Sequence, residues 1–175
     1  MDQNKNKNSG ETKITITLPT NAYFISGIRD FTLSFIKNTT NFAEKWAYRM
    51  QSIVDELCNN AIEHGSSEDD EVKVTLCHKK DEYIEIKVED NGTGKIKTTA
   101  EEMQKLMEER RKAEYKFIGI RGRGLPKIVA EWTDELVFQD KPTGGLIVTV
   151  KKYLKDPRYN SGLPESTPTH LVLNI

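Results

Sequence analysis

Glu56 and Asn60 stand four residues apart in the stretch IVDELCNNAIEHG at 53–65, inside an apolar pattern of helical spacing. Residues four apart lie one above the other on a helix face. A carboxylate and a carboxamide so placed can polarise a hydroxyl or water and hold a hard divalent cation through oxygen. The same pair also suits a solvated helix edge, so it gains meaning only from its company. Asp90 closes a strand pattern and enters the turn Asp90-Asn91-Gly92-Thr93-Gly94. Glycines there let a backbone approach a flat ligand, and the carboxylate can accept a hydrogen bond from an exocyclic amine such as that of adenine. An ordinary hairpin turn has the same composition. Gly119, Gly122 and Gly124, interleaved with Arg121 and Arg123, precede a helix start. Free N–H groups at a helix N-terminus favour an anion, phosphate above all, and the arginines add charge-assisted donors. The run lacks the GK[ST] of a Walker loop and does not open a strand–turn–helix dinucleotide unit.

These residues need elements to carry them. Met50, Ile53, Val54, Leu57 and Ala61 form one helical stripe, with Glu56 and Asn60 on its flank beside Ile53. This helix begins near Ala43 and Trp46 and ends at Gly65, which reads as a left-handed cap, with His64 in the last turn. Before it comes a strand over 12–18, stopped by Pro19, and a helix to about Lys37 capped by Thr20 or Asn21. The apolar face of that first helix reads as Phe24, Ile28, Phe31 and Phe35. After it, 72–78 and 83–89 alternate as a hairpin whose second strand delivers Asp90. A charged segment over 95–116 has a helical centre at 100–113, too polar for core. A short helix over 125–132 follows the second glycine run, and strands over 135–139 and 146–153 flank the turn 141–145. Helices grouped against a largely antiparallel sheet predict an α+β two-layer sandwich, the sheet covered on one face. The expected division is a disordered lead-in at 1–11, one domain over 12–154 and an extension over 155–175, whose apolar end can pack back on the body.

Composition narrows the partners. The 26 Lys+Arg against 27 Asp+Glu among 175 residues leave a net charge of −1, which argues against bulk nucleic-acid or membrane-surface binding. No apolar run approaches the roughly 20 residues of a membrane span. Cys58 and Cys77 match no metal or redox spacing and read as reduced thiols of a cytoplasmic protein.

The three boxes in this order, with a charged segment between the second and third, resemble the GHKL ATPase superfamily, shared by DNA gyrase and histidine kinases. Within it the chain is most similar to the small bacterial anti-sigma factor serine/threonine kinases. Residues 56–65 look like the family's N box, 90–94 its first glycine box, 119–125 its second, and 132–136 its entry into the next strand. The resemblance implies Mg2+ and ATP as cofactors. It makes Glu56 the base toward a substrate serine, Asn60 the Mg2+ ligand and Asp90 the acceptor from adenine. Gly92 and Gly94 become the adenine-side wall, 95–116 the ATP lid, and Gly119, Gly122 and Gly124 the phosphate cradle, flanked by Arg121 and Arg123. Leu146 and Ile147 stand where the family often carries a threonine near the aspartate, and Lys95 where a bulky residue is frequent. The implied activity is a protein kinase of a partner-switching pathway. It binds a sigma factor or similar client and phosphorylates a STAS-domain antagonist, with room for a homodimer. Alternatives are an ATP-dependent binding switch without kinase activity, and a histidine kinase catalytic fragment. The latter is disfavoured because no segment with a phosphoacceptor histidine precedes Glu56.

Overall fold

The computed structural model describes residues 10–95, 97–111, 132–154 and 170–173. Strand β1 (Glu11–Pro19) leads through a 3₁₀ turn (Ala22–Phe24) into helix α1 (Ile25–Thr39), then helix α2 (Glu44–Asn60). The hairpin β2 (Glu71–Lys79) and β3 (Tyr83–Glu89) follows, then helix α3 (Ala100–Arg111), β4 (Glu135–Asp140), β5 (Leu146–Tyr153) and β6 (His170–Leu173). The sheet order is β1-β2-β3-β5-β4-β6, antiparallel throughout except that β6 runs parallel to β4. The expected α+β architecture is the observed one. The strand His170–Leu173 lies inside the segment anticipated as an extension and adds an edge to the domain's own sheet.

Alternation along the strands builds one apolar face. Ile16, Val74, Val88, Val148 and Phe138 pair across five strands in one row, and Ile14, Leu76, Ile86, Val150 and Leu136 in the next. α1 and α2 supply Ile25, Ile28, Phe35, Ile36, Ala47, Met50, Ile53, Val54 and Leu57 to the same core. The opposite sheet face carries ion pairs, Lys151–Glu85 at 2.8 Å and Lys87–Glu89 at 3.1 Å. Both thiols are free and buried, and burial pushes Cys58 up to about 12.

Local chemistry explains the helix ends. Asn21 caps the 3₁₀ turn by accepting from the Tyr23 N–H. At the end of α1, Asn38, Thr39 and Thr40 each donate to the carbonyl four residues back, satisfying groups that a helix end leaves unpaired. Thr99 and Glu102 form a reciprocal capping box on α3, and the Asp140 carboxylate accepts from Ala100 N–H.

Two readings of the helices change. The buried stripe of α1 is Ile25, Ile28, Thr32, Phe35 and Ile36. Phe24 and Phe31 are 42% and 37% exposed. The 3₁₀ turn ends at Phe24, so the helix starts one residue later. Thr32 can be fully buried because its hydroxyl donates to Ile28 O at 2.7 Å. α3 is not purely a surface helix, since Ala100 and Met107 join the core.

His78 lies on the helix-covered face against the Phe35 ring, 5.4 Å between centroids, and neither ring nitrogen has a partner among the described residues. Burial holds its imidazole below the ordinary value, so the native state keeps it neutral. Unfolded chains bind that proton more readily, so stability is full above the unfolded value of about 6.5 and falls as pH drops below it. Thermal unfolding is expected to lose midpoint between pH 7 and 5 in the native protein. His78→Leu should flatten that slope; an unchanged slope would assign the acid sensitivity elsewhere.

Candidate functional site

α2 carries Glu56 and Asn60, both half-buried, on the flank of a stripe whose Met50, Ile53, Val54 and Leu57 are buried as expected. Asn60 Nδ2 donates to Glu56 Oε1 at 3.3 Å, which places carboxylate and carboxamide side by side. Beyond Asn60 the helix widens into a single π turn, Ala61–Gly65. Such turns recur at functional sites because they redirect a helix end without breaking it.

Asp90 continues the helix-covered face two residues past Val88, and its backbone N–H donates to Leu146 O at 3.1 Å. Its Oδ1 accepts from Leu146 N–H at 3.0 Å and from Gly92 N–H at 2.9 Å. No donor among the described residues reaches Oδ2. One oxygen is therefore anchored by two amides while the other remains an acceptor. Burial raises this carboxyl above its ordinary value, and the two N–H groups and the Lys141 charge oppose the rise. Leu146, where the resemblance leads to an expected threonine, meets the aspartate through its backbone amide.

Close approach of neighbouring segments accounts for several of the glycines. Gly65 was anticipated as a left-handed cap, yet it is not among the glycines with positive φ. A Cβ on it would fall 2.4 Å from Asp90 Cγ and 2.5 Å from Oδ2, so its bareness admits the carboxyl against the helix end. A Cβ on Gly94 would meet His64 O at 2.0 Å, and one on Gly92 would meet Gly145 N at 2.3 Å. Their missing side chains let backbone pack on backbone, so the wall is built from three chain segments. Gly144 and Gly145, at φ 90° and 94°, occupy a conformation that L side chains rarely adopt.

Further ties hold the α2 end to the Asp90 turn. Thr93 donates its hydroxyl to Asp70, Ser67 N–H donates to Asp70 at 3.0 Å, and Ser67 Oγ donates to Thr93 O at 2.7 Å. Ser66 Oγ, beside Gly65, is buried without a partner among the described residues. A buried hydroxyl normally finds a partner, so a ligand or an ordered water at this place would satisfy it. Sequence reasoning noted Gly65 as a helix cap and Leu146 as a departure from a familial threonine, but not their contacts with Asp90; the Asp70–Thr93 tie and the approach of Gly145 to Asp90 were not anticipated. The Lys-Pro-Thr-Gly-Gly composition of 141–145 signalled the turn on this side of the site.

The structure thus brings Asp90, Gly92 and Gly94 against the end of the helix that carries Glu56 and Asn60. Gly119, Arg121, Gly122, Arg123 and Gly124, and most of the helix expected over 125–132, lie outside the described residues, as do 112–116 of the expected lid. Among the described residues there is no group of three His, Cys, Asp or Glu that could hold a metal ion. A divalent cation beside Asn60 would be held through the Asn60 carboxamide oxygen together with oxygens of a ligand or water. No helix of the described residues is long and apolar enough to cross a membrane.

The family model for the histidine kinase-like ATPase domain matches residues 19–152. That span runs from the end of β1 to β5 and includes Glu56, Asn60, Asp90 and the glycines of both boxes. No curated protein matches the chain.

Proposed function

Because this chain belongs to the histidine kinase-like ATPase family, we propose that it binds Mg-ATP and acts as an anti-sigma factor and serine/threonine protein kinase of a partner-switching pathway. The observation that carries the nucleotide part is Asp90, with Oδ1 held by two amides and Oδ2 left to accept from the adenine amine. Glu56 takes the proton from a serine hydroxyl of a STAS-domain antagonist. Asn60 would hold Mg2+, which would neutralise charge on the phosphates, and Gly119, Gly122 and Gly124 with Arg121 and Arg123 would receive the phosphates. Phosphoryl transfer asks mainly for positioning and charge neutralisation, which this division of labour supplies.

The client side of the proposal draws on α1. Tyr23 is 81% exposed and packs edge-on against the exposed Phe24, and Phe31 on α1 is a further exposed aromatic. Arg29 lies 3.9 Å from both Asp30 and Asp55, a separation at which surface charges contribute little to stability. Such a face suits a sigma factor or a second copy of the chain.

Transfer of labelled γ-phosphate to a purified STAS-domain partner tests the kinase reading. Tight ATP binding without transfer to any such partner would leave the ATP-dependent binding switch in its place. Gly65→Ala tests the nucleotide site from the protein side. The added methyl must displace the Asp90 carboxyl, so calorimetric titration with ATP should show an affinity loss of about 10-fold or more, the scale of one charge-assisted hydrogen bond. Affinity equal to wild type would separate Asp90 from adenine recognition.

A further inference from the structure

Lys141 follows the last residue of β4 and would ordinarily be read as a solvated turn lysine. Its backbone is held at both ends of the turn. Lys141 N–H donates to Gly145 O at 2.9 Å, and Gly144 N–H donates to Lys141 O at 2.9 Å. Its side chain is half-buried and reaches back across the turn, where Nζ donates to Asp90 O at 2.6 Å and to Asn91 Oδ1 at 3.4 Å. We propose that Lys141 is a positioning residue for adenine recognition, its ammonium clamping the Asp90–Asn91 turn through the Asp90 carbonyl and the Asn91 side chain so that the Asp90 carboxylate is aimed at the ligand. The proposal rests on the reading of Asp90 as the adenine acceptor.

Three features support it. The aim of Asp90 Oδ2 depends on the backbone at 90, because Oδ1 is pinned by amides of the same turn and of its β5 neighbour. The two turns are in contact without spare room, since a Cβ on Gly145 would lie 2.4 Å from Asp90 O. A charge-assisted hydrogen bond to that carbonyl is stronger than the neutral bonds around it, so its loss frees the turn more than the loss of any one of them. Lys141 touches neither Glu56 nor Asn60 in any hydrogen bond or ion pair of the described residues, and its side-chain hydrogen bonds go to the Asp90–Asn91 turn.

The test uses two nucleotides that differ where Asp90 would bind. Inosine triphosphate carries a carbonyl in place of the adenine amine and a proton on N1, and otherwise keeps the purine, ribose and phosphates. Titration calorimetry of the full chain with Mg-ATP and Mg-inosine triphosphate should show wild type preferring ATP. In Lys141→Met the ATP affinity should fall by about 10-fold with that for inosine triphosphate nearly unchanged, the scale of one charge-assisted bond. Lys141→Arg, which keeps a charged donor, should restore most of the ATP preference. Should Lys141→Met melt below the titration temperature, Lys141→Gln serves in its place with the same expected narrowing of preference. Equal losses for both nucleotides, or an undiminished ATP preference in the Met and Gln variants, would overturn the positioning role. A wild-type protein that binds ATP without preferring it would remove Asp90 as the acceptor, and the Lys141 role with it. Binding of neither nucleotide by wild type would remove the nucleotide reading itself.

Discussion

Asp90→Asn should bind Mg-ATP about 10- to 100-fold more weakly than wild type while melting at nearly the same temperature, the loss expected for one charge-assisted hydrogen bond of about 1.5–3 kcal/mol. The selectivity of this substitution comes from the split between the two carboxylate oxygens. Oδ1 is committed to Leu146 and Gly92 amides at 3.0 and 2.9 Å, and an asparagine carbonyl can accept from both. The amide nitrogen then takes the place of Oδ2 and presents a donor to the donor amine of adenine. Fold is kept and recognition is reversed. Calorimetry with ATP, alongside a thermal melt, separates the two effects. An Asp90→Asn protein with undiminished ATP affinity would show that the carboxylate faces something other than the base.

Glu56→Gln should lower phosphate transfer to a cognate STAS-domain partner by about 10²–10⁴, the usual contribution of a positioned base, with ATP affinity close to wild type. Glu56 Oε1 accepts from Asn60 Nδ2, and a glutamine carbonyl can accept the same bond, so the flank of α2 keeps its geometry while losing its base. Asn60→Ala differs in kind. It removes the oxygen assigned to Mg2+ and should weaken nucleotide binding in the presence of magnesium, with little effect in its absence. Labelled-phosphate transfer and nucleotide titration on each variant read the two outcomes independently. Transfer by Glu56→Gln at the wild-type rate would take the proton acceptor away from position 56.

The sequence by itself determined the elements, because periodicity reports which side of a local segment avoids water. Met50, Ile53, Val54, Leu57 and Ala61 recur at helical spacing and are buried. Val72, Val74 and Leu76 alternate against Ile84, Ile86 and Val88, and the hairpin they imply is the one formed. Order and composition of the boxes further indicated the family, whose domain spans 19–152. Periodicity was weaker at the edges of elements: Asn21 caps a 3₁₀ turn before α1 begins at Ile25, and Phe24 and Phe31, expected on the apolar face, are exposed. It was also weaker for α3, whose charge hid the burial of Ala100 and Met107.

Only the tertiary structure decided how the site closes, because its contacts join residues far apart in the chain and between backbones that carry no side-chain signal. Gly65 is bare so that Asp90 can approach, and Gly94 so that it can lie on the His64 carbonyl. The amide that holds Asp90 belongs to Leu146, fifty-six residues away, where no side chain advertises it. Lys141 reaches the Asp90 carbonyl because β4 and β5 bring their turn against the end of β3. The edge strand at His170–Leu173 is likewise defined by its parallel pairing with β4, a long-range register that four residues cannot encode alone.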